Sequence, residues 1–133
     1  MLIGGMEMNN LEFKTQLEKR TRDFAVRTFK YLDALPKRES TRVIAYQLGK
    51  SASSIGANYR EANRGESRDD FGHKLQIALK EASETCYWLE VLSVLYPAHE
   101  TVKKLLAEGV ELRNLFQAIS QSTRTRKLKN LNT

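Results

Sequence analysis

The sequence predicts an all-α protein that folds as an antiparallel, up-down-up-down four-helix bundle. Four segments of about 20 to 27 residues each carry apolar side chains at helical spacing. Short loops join these segments, and helices joined by short loops pack as antiparallel neighbours. No segment alternates apolar and polar residues for long enough to form a strand. The 133 residues, of which 41% are hydrophobic and 29% charged, are expected to form one soluble domain with a single core.

The first helix is predicted over residues 11–35. Residues 1–10 have no period and are predicted to form a flexible N-terminus. Proline disfavours the helical conformation of the residue before it, so Pro36 is expected to end this helix. Its apolar stripe consists of Phe13, Leu17, Phe24, Tyr31 and Leu35.

The second helix is predicted to begin at Ser40, whose hydroxyl can cap a free backbone N–H. Its apolar stripe runs over residues 44–62. Gly49 and Gly56 lie inside the helix, where each costs about 1 kcal/mol relative to alanine. We expect close packing of a neighbouring helix to offset this cost. Beside the apolar stripe lies a polar stripe of Ser51, Ser54, Asn58 and Glu61.

The third helix follows a short loop at Gly65, which suits a left-handed helix cap. Ser67 is the expected N-terminal cap, and the apolar stripe of this helix runs over residues 71–92. Pro97 marks its end.

The fourth helix is predicted from about His99 to Ser120, so that residues 11–120 form the bundle. Beyond Ser120 the apolar pattern stops, and residues 121–133 are predicted to be a disordered basic tail. Residues 1–111 hold 17 basic and 16 acidic residues, whereas residues 112–133 hold five basic residues and no acidic one. Nearly all of the net charge of +6 therefore lies at the C-terminal end.

The composition favours a cytoplasmic protein. A single cysteine, Cys86, excludes an internal disulfide and is expected to be a small buried side chain in a reducing compartment. No apolar run approaches the roughly 20 residues of a membrane-spanning helix. The first residues lack the basic start and long apolar segment of a signal peptide.

Residue patterns typical of catalysis or metal binding are weak. Asp70 and His73 form one Asp-x-x-His, whereas a di-iron bundle needs Glu-x-x-His on two helices. The serines of the second helix have no histidine nearby in the sequence, and its glycines lack the spacing of a phosphate-binding loop. We therefore expect a protein that is not an enzyme and has no metal, cofactor or small-molecule substrate.

Glu61, with Asn58, is the leading polar candidate. One interpretation is a buried carboxylate in a binding site. The interpretation that we favour is an inter-helix ion pair, for example with Lys74 or Lys80, that fixes the register of the second and third helices. The serines of the polar stripe, Ser51 and Ser54, are likewise expected to serve packing.

Two groups of basic residues are candidate nucleic-acid contacts. Basic clusters bind phosphate backbones by releasing counterions, without reading the sequence. The alternative, favoured for a lone monomer, is that the tail is solvated and complements the negative end of the fourth helix. Assembly into a ring would repeat each basic patch and multiply a weak contact. The two groups are Arg60, Arg64 and Arg68 near the loop, and Arg124, Arg126, Lys127 and Lys129 in the tail.

Apolar residues outside the main stripes favour self-association. Val26 and Phe29 widen the stripe of the first helix, and Trp88 and Val91 lie outside that of the third. The alternative is that these residues flank a wide core stripe.

Two motifs in the second and third helices carry a family resemblance. Residues 47–62 read Q-L-x-K-S-A-S-S-I-G-A-N-Y-x-E-A, and residues 67–89 read S-x-x-D-F-x-x-K-L-x-I-A-x-K-E-A-x-E-T-x-Y-W-L. In these motifs the chain resembles the family of 23S rRNA intervening-sequence proteins. The resemblance implies an antiparallel four-helix bundle that assembles as a homopentameric ring, and it brings no catalytic residues.

The resemblance also implies a relation to the accessory variability protein of diversity-generating retroelements, whose barrel is associated with binding nucleic acid and a reverse transcriptase. With the acid-free C-terminus, it favours a non-catalytic, oligomeric accessory protein that binds RNA, DNA or a nucleic-acid–protein complex through basic surfaces. The alternative function is a protein-binding adaptor or structural oligomer with no nucleic-acid role.

Overall fold

The protein is a four-helix bundle in a computed structural model that describes residues 2–3, 6–7 and 9–131. Two short antiparallel strands, β1 (Leu2–Ile3) and β2 (Met6–Glu7), precede the helices. The helices are α1 (Asn10–Asp33), α2 (Glu39–Asn63), α3 (Arg68–Leu95) and α4 (Glu100–Leu131). The all-α, four-helix fold predicted from the sequence is confirmed.

The prediction of a flexible N-terminus over residues 1–10 falls partly on residues 1, 4, 5 and 8, which lie outside the described residues. The described part contains the two strands, each of two residues and too short to be recognised by alternation. Asn9 caps α1, because its side-chain oxygen accepts a hydrogen bond from the backbone N–H of Glu12 at 2.8 Å.

Neighbouring helices run antiparallel. Residues late in one helix contact residues early in the next helix, and residues early in the first contact residues late in the next. One end of the bundle therefore holds the beginnings of α1 and α3 and the ends of α2 and α4. The other end holds the α1–α2 and α3–α4 connections. The contacts that establish this order are Thr21–Gly56 and Phe29–Gly49 between α1 and α2, Ser51–Thr85 and Glu61–Lys74 between α2 and α3, and Gln76–Ser120 and Asp69–Lys127 between α3 and α4.

The core is formed by the predicted apolar stripes. Tyr59, Phe24 and Phe116 are its largest fully buried side chains. The rings of Tyr59 and Phe116 meet edge to face at 5.4 Å, which joins α2 to α4. Buried threonines within the core satisfy their hydroxyls locally; that of Thr28 donates to the Phe24 carbonyl at 2.9 Å.

Gly49 and Gly56 allow α1 to pack closely on α2. A Cβ at Gly49 would lie 3.0 Å from Cε1 of Phe29, and one at Gly56 would lie 2.9 Å from Oγ1 of Thr21. The expected close packing of a neighbouring helix at these glycines is observed, and that neighbour is α1.

Two predicted helix boundaries need correction. α2 begins at Glu39, and Ser40 is not its cap: the hydroxyl of Thr41 instead accepts a hydrogen bond from the backbone N–H of Arg38 at 2.9 Å. Gly65 does not adopt a left-handed conformation, since α2 ends through Arg64 at φ −105° and ψ 4°. Ser67 caps α3 as predicted, accepting a hydrogen bond from the backbone N–H of Asp70 at 3.1 Å.

The C-terminal segment also differs from its prediction. Residues 121–131 continue α4, whereas the sequence predicts a disordered tail over residues 121–133, of which the last two lie outside the described residues. This segment is rich in arginine, lysine and leucine, which are good helix formers. An existing helix gains one backbone hydrogen bond for each residue it adds, so no buried stripe is needed.

Candidate nucleic-acid interface

Three of the four residues in the polar stripe of α2 serve helix structure and packing. Ser51 is buried and accepts a hydrogen bond from the hydroxyl of Thr85 on α3 at 2.9 Å. Ser54 donates to the carbonyl of Lys50 at 2.6 Å, and the amide of Asn58 donates to the carbonyl of Ser54 at 2.8 Å. These groups are occupied within the helices and form no open site.

Glu61 is an exposed ion-pair partner. Its side chain is 59% exposed, and its Oε2 lies 2.6 Å from Nζ of Lys74 on α3. The interpretation of a buried carboxylate in a site is therefore wrong. The structure forms an inter-helix ion pair with Lys74, the nearer in sequence of the two lysines considered.

Arg60 and Arg64 share one carboxylate from α1. Their guanidinium groups lie 3.6 and 3.8 Å from Oε1 of Glu18. The amide of Asn63 donates to the other oxygen of Glu18 at 3.0 Å. Glu18 therefore offsets part of the charge of these two arginines, which makes them poor candidates for binding a second anion.

Arg68 lies in a different environment, at the beginning of α3. A shallow groove of about 200 Å³ separates this part of α3 from the last turns of α4. We call it the α3–α4 groove; Arg68 and His73 line one side, and Arg124 and Lys127 line the other. The fold thus joins one residue of the first basic group to two of the second, although 55 residues lie between Arg68 and Arg124 in the sequence.

Lys127 is the one cation of this groove that pairs with an acid in the described part of the chain. Its Nζ lies 2.9 Å from Oδ1 of Asp69, and both side chains are largely exposed. The hydrogen bond and charge of Lys127 lower the pKa of Asp69. Among the described residues, Arg68 and Arg124 have no acidic partner within ion-pair distance.

Arg126 and Lys129 extend the positive charge beyond the groove. Both are exposed on the last turns of α4, and neither pairs with an acidic side chain of the described residues. Lys129 also complements the negative end of the helix. We call Arg68, Arg124, Arg126 and Lys129 the open cations; all four lie at one end of the bundle, which we call the basic end.

The two histidines and the cysteine lie apart from one another in the bundle. Within the described residues, no three His, Cys, Asp or Glu side chains are grouped to hold a metal ion. His73 is exposed, and His99 lies at the opposite end with its Nδ1 2.7 Å from the Tyr31 hydroxyl. Cys86 is buried, and burial raises the pKa of its thiol.

No helix in the described part of the chain is long and apolar enough to cross a membrane.

A second groove, which the sequence pattern did not reveal, lies at the α1–α2 turn. It has a volume of about 660 Å³ and is lined by Phe29 and Tyr46, with Lys37 and Arg38 at its rim. Phe29 appeared in the sequence only as a residue that widens an apolar stripe. The sequence feature that could have indicated this groove is the presence of aromatic residues outside the main apolar stripes near the basic residues that follow Pro36.

The most specific comparison is with a protein family. Residues 14–118 match the model of the 23S rRNA-intervening sequence protein family. A search of curated proteins returned no match.

A solved structure supports the same relationship. The chain is similar to a protein from Bacteroides thetaiotaomicron that is described as having unknown function and as coming from the S23 ribosomal protein family. The two are 35% identical with a TM-score of 0.73, and the similarity covers 81% of this chain and 97% of that one. Neither comparison indicates a catalytic family. The family match over most of the bundle places this chain in the 23S rRNA-intervening sequence protein family.

Proposed function

We propose that this protein is a non-catalytic, oligomeric, cytoplasmic accessory protein that binds RNA through its basic end. The observation that carries the proposal is the set of open cations, Arg68, Arg124, Arg126 and Lys129, at one end of an otherwise nearly neutral bundle. Guanidinium and ammonium groups without acidic partners are free to replace the counterions of a phosphate backbone.

The continuation of α4 supports this role. A disordered tail would lose conformational entropy on binding, whereas side chains on an existing helix are already placed. Thr123 and Thr125 add hydroxyl hydrogen bonds to carbonyls four residues earlier in the helix, each at 3.0 Å. Arg124 lines the same groove as Arg68.

Assembly into an oligomer would repeat the basic end around an axis. Tyr87 and Val94 lie seven residues apart on α3, both exposed, and half-buried Val91 lies between them on the same side. The exposure of this outer stripe of α3 supports contact with another copy of the chain. The resemblance makes a homopentamer the expected assembly.

The test is a titration of labelled single-stranded RNA at several salt concentrations. Replacing Arg68 and Arg124 by glutamine is expected to weaken binding and to lower the slope of log affinity against log salt by about 0.7 per lost contact. The matched control replaces Arg60 and Arg64, which lose equal formal charge but already face Glu18. The control is expected to change the slope much less.

Absence of RNA binding at low salt would overturn the proposal. So would binding that survives removal of residues 121–133 unchanged, because three of the four open cations lie in that segment.

A second candidate function is a protein-binding adaptor with no nucleic-acid role. The outer stripe of α3 supports it, since an exposed apolar surface also suits a protein partner. Recovery of a protein partner after nuclease treatment, with no retained nucleic acid, would favour this function. Light scattering that gives the monomer mass of 15.3 kDa would exclude the oligomer in either case.

A further inference from the structure

The groove at the α1–α2 turn combines exposed aromatic rings with positive charge. Phe29 is 45% exposed and Tyr46 is 66% exposed, although both are large side chains that could have been buried. The two rings come from different helices and line the same cavity of about 660 Å³. Lys37 and Arg38 lie at the rim, on the connection between the helices.

Part of the Phe29 ring packs against Gly49 of α2. Gly49 leaves room for its ring, since a Cβ there would lie 3.0 Å from Cε1 and 3.5 Å from Cζ. One part of the ring is therefore packed while the rest faces the groove. A ring fixed in this way loses little conformational entropy when a ligand stacks on it.

The basic rim is carried by an ordered turn. The backbone N–H of Arg38 donates to the hydroxyl of buried Thr41, and that hydroxyl donates to the carbonyl of Pro36. These bonds fix the backbone on both sides of Lys37.

The charges of the rim do not cancel. Arg42 and Glu39 pair at 2.6 Å and offset one another. Lys37 and Arg38 have no acidic partner within ion-pair distance among the described residues, and Asp33 is the remaining acid that lines the groove. The rim therefore carries one net positive charge beside the two rings.

We propose that this groove holds an unpaired base of single-stranded RNA, stacked on Phe29 and Tyr46, with its neighbouring phosphates at Lys37 and Arg38. The inference rests on the proposed RNA-binding function and adds a ligand class to it. Every base has a π face, so aromatic platforms with a basic rim bind single strands with little regard to sequence. Paired bases in an RNA helix are stacked on one another and are not available to such a platform.

The charged rim argues against a contact between copies of the chain at this groove. Such a contact would bury Arg42 and Glu39, which are both highly exposed, together with two unpaired cations. Charged residues are depleted at the cores of protein interfaces because their desolvation is costly. A single-stranded phosphate chain, by contrast, supplies the opposite charge.

The test compares Tyr46→Ala with Tyr46→Phe and Val43→Ala in the full chain. Phenylalanine keeps the ring, and Val43 is an exposed residue one turn earlier on α2 that does not line the groove. The probes are a labelled oligouridine long enough to reach from the basic end to this groove at the opposite end of the bundle, and an RNA duplex of equal length. Tyr46→Ala is expected to weaken oligouridine binding about tenfold, the scale of one lost stacking contact. Because tyrosine is uncharged, the salt slope is expected to stay unchanged. Tyr46→Phe and Val43→Ala are expected to stay within about twofold of the parent protein, a margin well below one stacking contact.

Three outcomes would overturn the inference. Equal affinities of Tyr46→Ala and Val43→Ala would mean that the ring does not stack. An equal loss on duplex and single strand would mean that no base is bound. A changed mass in light scattering would mean that the groove is a contact between copies. Failure of the parent protein to bind any RNA would instead refute the proposed function itself.

Discussion

Thr21 of α1 lies directly against the backbone of Gly56 in α2. A methyl group at position 56 would come within 2.9 Å of Oγ1 and 3.1 Å of Cβ of Thr21. Thr21 cannot easily turn away, because it is buried and its hydroxyl donates to the carbonyl of Leu17 at 2.9 Å. This contact sets how closely α1 and α2 approach.

Gly56→Ala is expected to lower the free energy of unfolding by up to about 2 kcal/mol. Overpacking a tight core costs about 1–3 kcal/mol, and the roughly 1 kcal/mol that alanine gains in a helix offsets part of that cost. Gly72→Ala is the control, since the nearest atom to its Cβ would be Cγ2 of Thr123 at 3.8 Å. Urea denaturation should find Gly72→Ala neutral or stabilising. An increase in stability for Gly56→Ala would contradict the close packing.

Arg20 links α1 to α4, the two helices that contact each other least among adjacent pairs. Its guanidinium donates to both oxygens of Glu108, at 2.8 and 2.6 Å, and to Glu111 at 2.9 Å. The hydrogen bond to Glu108 raises the pKa of Arg20. Arg20→Gln is expected to cost about 1 to 2 kcal/mol of stability, as charged hydrogen bonds of partly buried groups do.

A double-mutant cycle that combines Arg20→Gln with Glu108→Gln is expected to give a coupling energy close to the stability loss caused by Arg20→Gln alone. Arg22→Gln is the control, because among the described residues Arg22 pairs only with half-exposed Asp23, next to it in the chain. Its cost should fall within about 0.5 kcal/mol of zero. Equal effects of the two arginine substitutions would show that the link between α1 and α4 contributes nothing specific.

Tyr31 should make stability depend on alkaline pH. Burial raises its pKa from 10.0 to about 12, and its hydroxyl lies 2.7 Å from Nδ1 of His99. The pKa of Tyr31 is higher in the folded state than in the unfolded state. The contribution of its protonated phenol to the free energy of unfolding is therefore complete below about pH 10 and is lost as the pH rises towards 12.

Tyr31→Phe is therefore expected to flatten the fall in unfolding free energy between about pH 10 and 12. The buried thiol of Cys86 and the phenol of Tyr59 titrate in both proteins, so the difference between the two curves isolates Tyr31. Denaturant melts at several alkaline pH values measure it. Parallel curves for the two proteins would mean that Tyr31 is not responsible.

Asp69→Asn should strengthen RNA binding if the α3–α4 groove contacts phosphates. The change releases Lys127 from its ion pair and adds a fifth cation to the basic end. The salt slope is expected to rise by about 0.7, the value for one further contact with a single strand. Asp70→Asn removes the same charge from the neighbouring position, where no cation is paired in the described part of the chain. Equal gains for both variants would indicate a general charge effect and no role for Lys127.

Much of the fold follows from local signals in the sequence. Pro36, Ser67 and Pro97 mark helix ends because proline and hydroxyl caps act on the residues beside them. The apolar stripes predict the core, since helical periodicity needs only a few turns to be seen. The boundary errors at Ser40 and Gly65 arose where another residue could supply the same backbone geometry. The third, at the end of α4, arose because the apolar stripe stops at Ser120 while the helix continues to Leu131.

The candidate site was less predictable because charge pairing depends on distant partners. The sequence places Arg60, Arg64 and Arg68 in one group, but Glu18 on another helix engages the first two. The pair of Glu61 with Lys74 was predictable by contrast, because only a short loop separates the second helix from the third. A carboxylate that is remote in the chain leaves no local pattern beside the residue it neutralises.

By itself, the sequence determined four amphipathic helices, their core faces, the small-residue character of α2 and the acid-free C-terminus. Only the tertiary structure decided that Gly49 and Gly56 receive α1, that Arg68 joins Arg124 across a groove, and that two aromatic rings meet at a basic turn. The reason is physical. Helix formation and capping act over a few residues, whereas helix packing sets which side chains become neighbours and which charges remain free.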